Sequence, residues 1–151
     1  MIWFILRAWL LQNRPLVKAK AEEEEPMKCY FQGFTRVENE EFDFNGYVSF
    51  VIPELGIRFK GQYNGLQDEC EYASLLALLE FIELNNHLFK DRRVEIFGNN
   101  FKVVSQVNAE ASPNRALEPF CNMARGYRKK IPYTLNWIPS DENMAQDGLI
   151  I

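Results

Sequence analysis

The chain is poor in the residues that build soft-metal sites. It has one histidine, His87, and three cysteines, Cys29, Cys70 and Cys121. A tetrahedral zinc centre takes four such ligands, usually in closely spaced pairs. No two of these cysteines stand at that spacing, and the inventory holds no ligand beyond the minimum four, which argues against a His/Cys zinc site. An odd cysteine count without a framework pattern predicts three buried or half-buried thiols in a reducing compartment, hence a cytoplasmic protein. Excess positive charge is missing too. Seventeen Lys and Arg stand against 21 Asp and Glu, for a net charge of -4. A domain that grips nucleic acid broadly is usually basic, so any such binding here is confined to local patches and is weak. No apolar run is long enough to cross a bilayer. The longest, MIWFILRAWLL at residues 1–11, carries Arg7 in its middle and falls short of the roughly 20 residues a span needs. It also lacks the basic start and small-residue cleavage site of a signal peptide.

What is present suits one globular domain. The 151 residues are 47% hydrophobic and 25% charged, enough for a single core and unlike a disordered chain. Residues 1–26 stand apart as an apolar N-terminal extension with an acidic linker, Pro15 and Glu22–Pro26 reading as solvated chain. Three readings of the extension stay open. Residues 1–12 pack on the domain or on a second copy, giving self-association into a homodimer. Alternatively Trp3 and Trp9 hold the segment at a membrane surface. In the third reading the domain proper begins at Met27. The domain itself is assigned to residues 27–151.

Along that domain, alternation predicts strands at 28–36, 47–52 and 57–63, joined as an antiparallel meander with a short hairpin loop at Glu54 to Gly56. A long helix follows, with Asp68 as expected N-cap and Glu71 three residues on. Its broad apolar face runs through Leu75, Leu76, Leu78, Leu79, Phe81 and Ile82. A fourth strand is expected at 93–97, a sharp turn at Gly98, Asn99 and Asn100, and a short helix at 101–107. Leu117, Phe120, Cys121 and Ala124 mark a further helix by their spacing, and a fifth strand covers 133–138. The tail from Asp141 begins as a turn. The order βββαβααβ predicts an α/β mixed sheet of five strands with helices on both faces.

Four stretches carry a family resemblance: YFQG at 30–33, EYASLLALL at 71–79, EIFGNNFKVVSQV at 95–107 and WIPSDENMAQD at 137–147. Together, and in this order, they resemble the ribonuclease H-like family, in its compact bacterial, archaeal and plant branch of type 1 ribonuclease H. The resemblance spans about residues 28–149 and implies the ribonuclease H-like fold. It also implies a chemistry. Water attacks phosphorus in line, and two Mg²⁺ ions held roughly 4 Å apart stabilise the attacking and leaving oxygens. Mg²⁺ prefers hard oxygen ligands, and the family supplies four carboxylates.

Carried over by position, two of the four remain. The helix glutamate falls on Glu71 and the last aspartate on Asp147. The first-strand aspartate falls on Gln32 and the fourth-strand aspartate on Asn99, with Asn100 where the family has serine and Gln146 where it has alanine. The family's loop histidine has no counterpart. The resemblance therefore implies weak Mg²⁺ binding at Glu71 and Asp147, if any, and a degenerate active site. The expected function is a catalytically silent or severely impaired module that binds nucleic acid weakly, as RNA–DNA hybrid or duplex, or serves protein interaction. The alternative is a Mg²⁺-dependent endonuclease cleaving RNA in RNA–DNA hybrids, with Glu69, Glu95, Asp68 or Asp141 replacing lost ligands.

Each position also has a plain structural reading. Glu71 can serve as capping partner of Asp68, Gln32 can close an edge-of-sheet hydrogen bond, and Asn99 and Asn100 can cap a helix. Asp147 can be a surface charge. Arg125, Arg128, Lys129 and Lys130 cluster around Tyr127 near the late helix end. With Asn100 they are the candidate nucleic-acid contacts, although the helix dipole alone favours cations at a helix C-terminus. Arg92 and Arg93 are expected to cap the start of the fourth strand.

Overall fold

A computed structural model describes residues 25–37 and 44–148. Residues 1–24, on which the self-association and membrane-surface readings fall, lie outside the described residues. Five strands form one sheet: β1 (Met27–Val37), β2 (Phe44–Ile52), β3 (Ile57–Gln62), β4 (Val94–Gly98) and β5 (Tyr133–Trp137). Their order across the sheet is β3-β2-β1-β4-β5. The β1–β2 and β2–β3 pairs are antiparallel, and the β1–β4 and β4–β5 pairs are parallel. Three α-helices supply the rest: α1 (Gln67–Leu84), α2 (Phe101–Val107) and α3 (Glu118–Gly126).

Strand alternation sorts the side chains. Met27, Cys29 and Phe31 of β1, Phe50 and Ile52 of β2, Val94 and Ile96 of β4 and Tyr133 and Leu135 of β5 point to one face. There they join Leu75, Leu78, Leu79 and Ile82 of α1, Val103 and Val107 of α2, and Cys121 and Ala124 of α3 in a single core. The three cysteines are buried and unbridged. All three α-helices thus share one face. The expected helices of the other face reduce, among the described residues, to a 3₁₀ turn, Met144–Gly148, which lies against β1, β2 and β3.

The start of α1 departs from the sequence reading. The helix opens at Gln67 with Leu66 as N-cap, and Glu69 accepts a hydrogen bond from the Leu66 N–H at 3.2 Å. The acid that closes the first turn is therefore Glu69, two positions before the expected Glu71. Asp68 reaches sideways to α2, and Glu71 points into the protein. Pro119 sits in the first turn of α3, where a missing N–H costs nothing. Arg92 ties the β2–β3 connection to the approach of β1, pairing with Glu54 and donating to the Glu25 carbonyl.

Candidate functional site

Three of the family positions, Gln32, Glu71 and Asn99, lie around the point where β1 and β4 end their pairing. Beyond Tyr30, β1 continues without β4 beside it. Two side-chain amides take over its free edge. Asn143 Nδ2 donates to the Phe31 carbonyl at 2.9 Å. Gln67 donates through Nε2 to the Gly33 carbonyl at 2.9 Å and accepts at Oε1 from the Thr35 N–H at 3.0 Å.

Each of these amide nitrogens bridges a second oxygen, and that oxygen belongs to a family position. Gln67 Nε2 also donates to Glu71 Oε1 at 3.2 Å. Asn143 Nδ2 also donates to Asn99 Oδ1 at 2.6 Å. Asn143 in turn accepts the Ala145 N–H at 3.0 Å, which fixes the tail. Only 3% of Asn143 is exposed, so its bonds form out of water and are expensive to break. Asn143→Ala is expected to cost about 2 kcal/mol, by leaving the Phe31 carbonyl and the Asn99 amide without their donor. A urea melt reads this directly, and an unchanged midpoint would show that the tail is held by other contacts.

Glu71 is 2% exposed. Burial pushes its carboxyl up to about 8, against the opposing effects of the Gly33 N–H and the Gln67 amide. The neutral acid is therefore the form this environment favours at neutral pH. Its Oε2 and the Oε1 of Gln32 are buried without a hydrogen-bond partner. Tyr72, the next residue, donates to Gln106 Oε1 at 2.6 Å and anchors α1 to α2.

The closeness of β1 and α1 depends on Gly33. A Cβ built there would lie 2.3 Å from the Cys70 carbonyl carbon and 2.4 Å from the Glu71 nitrogen. A bare backbone at this point lets Glu71 reach the edge of β1.

Asn100 caps α2 as the sequence suggested, its Oδ1 accepting the Val103 N–H at 3.1 Å. Its Nδ2 donates to Asp68 at 3.0 Å, and Lys102 pairs with the same carboxylate at 2.9 Å. Asp68 is thereby occupied, and Glu69 is held at the helix start. Glu95 lies on the sheet face away from the core, flanked by Lys28 and Thr134. Asp141 is exposed in the 3₁₀ turn Ser140–Glu142. Asp147 falls in the turn Met144–Gly148, and its side chain lies outside the described residues.

The basic cluster is mostly committed. Arg125 donates to the Gln106 carbonyl at 2.5 and 3.2 Å. Arg128 donates to the Val107 carbonyl at 3.0 Å and to Asn108 Oδ1 at 2.6 Å, with its guanidinium 4.9 Å from the Tyr133 ring centre. Both arginines tie the end of α2 to α3. Lys130 pairs with Glu83 at 3.4 Å and lies over the Tyr127 ring. Lys129 is exposed.

Sequence reasoning missed Gln67 and Asn143. Asn143 opens the NMAQD segment already quoted for the family, so a signal was there. Gln67 carried none, because its partners on β1 lie more than 30 residues away in sequence.

The donor set does not fit a Mg²⁺ pair. Gln32 and Asn99 offer neutral oxygens, one engaged by Asn143, and Glu71 sits where burial favours its uncharged form. Among the described residues no three His, Cys, Asp or Glu side chains group as metal ligands.

The fold defined by this sheet order and these crossovers is the ribonuclease H fold, and solved structures bear it out. LC11 ribonuclease H1, in a complex with an RNA/DNA hybrid, superimposes with a TM-score of 0.68 at 19% identity, over 81% of this chain and 91% of that one. Ribonuclease H1 of Halobacterium salinarum gives 0.66 at 20% identity, over 83% and 94%. The N-terminal ribonuclease H domain of a Mycobacterium tuberculosis protein gives 0.58 at 12% identity, over 81% and 95%. No family model matches the sequence. No curated protein matches it either.

Proposed function

We propose that this chain is a ribonuclease H-fold module that acts by binding and does not hydrolyse phosphodiesters. The observation that carries the reading is the pair of bridging amides. Gln67 Nε2 and Asn143 Nδ2 donate to the oxygens of Glu71 and Asn99. Those oxygens would otherwise face cations. The cluster is held as a near-neutral hydrogen-bonded unit, whereas two-metal hydrolysis needs concentrated negative charge. Nucleic acid, as hybrid or duplex, is bound weakly. Lys129 is the basic residue best placed for phosphate, since Arg125 and Arg128 serve the α2–α3 junction.

The test is a cleavage assay on an RNA–DNA hybrid with Mg²⁺ and with Mn²⁺. The unaltered protein is expected to leave the hybrid intact under both. The double variant Gln32→Asp plus Asn99→Asp is expected to gain metal-dependent cleavage. Robust cleavage by the unaltered protein would overturn the reading in favour of a Mg²⁺-dependent endonuclease.

A further inference from the structure

The two faces of the sheet are covered unequally. The three α-helices share one face. On the other, the turn Met144–Gly148 lies against β1, β2 and β3. Ser49 and Val51, which alternation points to that side of β2, are buried. The cover stops at β1. In register across β1, β4 and β5 come Lys28, Glu95 and Thr134, then Tyr30, Phe97 and Asn136. These six alternate with Cys29, Ile96 and Leu135 of the core, so they occupy the face opposite the helices. Lys28 and Thr134 are exposed, and the other four are half-buried. The Tyr30 and Phe97 rings stack, with centroids 5.3 Å apart. Among the described residues no helix lies over them. Apolar sheet surface is normally buried by a second layer of chain.

Two cavities border this surface. One, of about 240 Å³, is lined by Lys28, Tyr30 and Met144 among others. The second, of about 420 Å³, is lined by Glu95, Tyr133 and Thr134 among others. Pro26 lines both. The chain enters β1 through this residue. The Met27 N–H donates to the Arg93 carbonyl at 2.8 Å, and Arg92 holds the Glu25 carbonyl at 3.2 Å. Residues 1–24 therefore join the domain at the rim of the open surface.

Their sequence matches it in chemistry. Residues 1–11 are apolar but for Arg7. The open surface is a stacked aromatic pair beside one carboxylate, Glu95. Among the described residues no salt bridge takes up Glu95. A cation carried onto an apolar surface must be paired, or its desolvation opposes the contact. The reach is ample. Residues 12–24 can span roughly 40 Å when extended. The open surface is only about 13 Å along the strands and about 10 Å across them. Such a tether holds the run at an effective concentration of about a millimolar, which favours its own domain over a second copy.

We propose that residues 1–11 dock on the open β1–β4–β5 part of the sheet face in their own chain, with apolar side chains on Tyr30 and Phe97 and Arg7 on Glu95. The contact goes beyond the binding role above and does not depend on the site being silent. It gives the sheet a second layer drawn from the segment that precedes it.

The test is hydroxyl-radical footprinting of the full chain, read by mass spectrometry at Tyr30 and Phe97. Both rings are expected to be protected, to the same degree at low and high protein concentration. The variant Ile5→Asp plus Leu10→Asp changes nothing inside the sheet. Charge in the run opposes docking, so reactivity of both rings is expected to rise roughly five-fold. Buried Phe31 is expected to stay unreactive in both proteins, which shows the fold intact. Arg7→Glu is expected to expose the rings as well, and adding Glu95→Arg to protect them again. Equal ring reactivity in the parent and the Ile5→Asp plus Leu10→Asp variant would overturn the proposal. So would an exposure by Arg7→Glu that the reversed pair does not undo. Protection that appears only as concentration rises would assign the face to a second copy and overturn docking in the same chain.

Discussion

Above pH 8, Glu71→Gln is expected to make the domain more stable than the unaltered protein. The sign follows from linkage. In the unfolded chain this carboxyl titrates near its ordinary value of 4.5, and in the folded protein burial holds it at about 8. Between those values the folded state keeps a proton that the unfolded state has lost, so stability falls as pH rises. The contribution is fully present below pH 4.5 and is gone once pH passes the folded value. At 1.36 kcal/mol per unit, the span is on the order of 5 kcal/mol. Glutamine keeps the shape, cannot ionise and retains the oxygen that accepts from Gln67. Thermal melts of both proteins from pH 4 to 9 read the effect. The unaltered protein should lose stability across the range, and the variant should show a flatter profile. Parallel profiles would show that Glu71 is charged in the folded state and that its carboxylate is compensated.

Gly33→Ala is expected to be the most damaging single methyl addition at this site. The new Cβ meets backbone atoms of Cys70 and Glu71 at 2.3 to 2.4 Å. A side chain could rotate away from such an overlap, but a helix backbone cannot. Either β1 bows outward or α1 shifts, and both break the bonds of Gln67 to Gly33 and Thr35. The expected loss is about 3 kcal/mol or more. Chemical denaturation should show a large drop in midpoint, and Thr35 and Glu71 amides should lose protection from hydrogen exchange. A variant as stable as the parent would mean that β1 and α1 have room to separate.

Much of the fold could be read from pattern. The helix at 101–107 falls where expected, because an asparagine cap and the apolar run VV-x-x-V are local signals. The strands agree within a few residues for the same reason. The head of α1 shows how local signals mislead. Asp68 and Glu71 have the spacing of a capping pair, and so have Leu66 and Glu69, although leucine is a poor cap. The second register wins because it turns Glu71 inward over Gly33 and leaves Asp68 free to meet Asn100. That choice is made by packing across 32 residues of sequence. The basic cluster misleads in another way. Sequence shows where cations lie, but not that carbonyls at the end of α2 already hold Arg125 and Arg128. Gln32, Glu71 and Asn99 could be placed from the family resemblance, whereas the bond from Asn143 to Phe31 spans 112 residues and leaves no local trace.

The side chain of Gln67 has one more consequence. A strand whose neighbour stops short presents bare N–H and C=O groups, and another molecule's strand can add there. By bonding to the Gly33 carbonyl and the Thr35 N–H together, the carboxamide offers β1 what one residue of an added strand would offer. The opening left where β4 ends is plugged by two side chains, Asn143 at the Phe31 carbonyl and Gln67 from the helix above. Replacing Gln67 with a residue lacking the amide would therefore leave an adhesive edge in the middle of the sheet, and a protein inclined to pair with itself there.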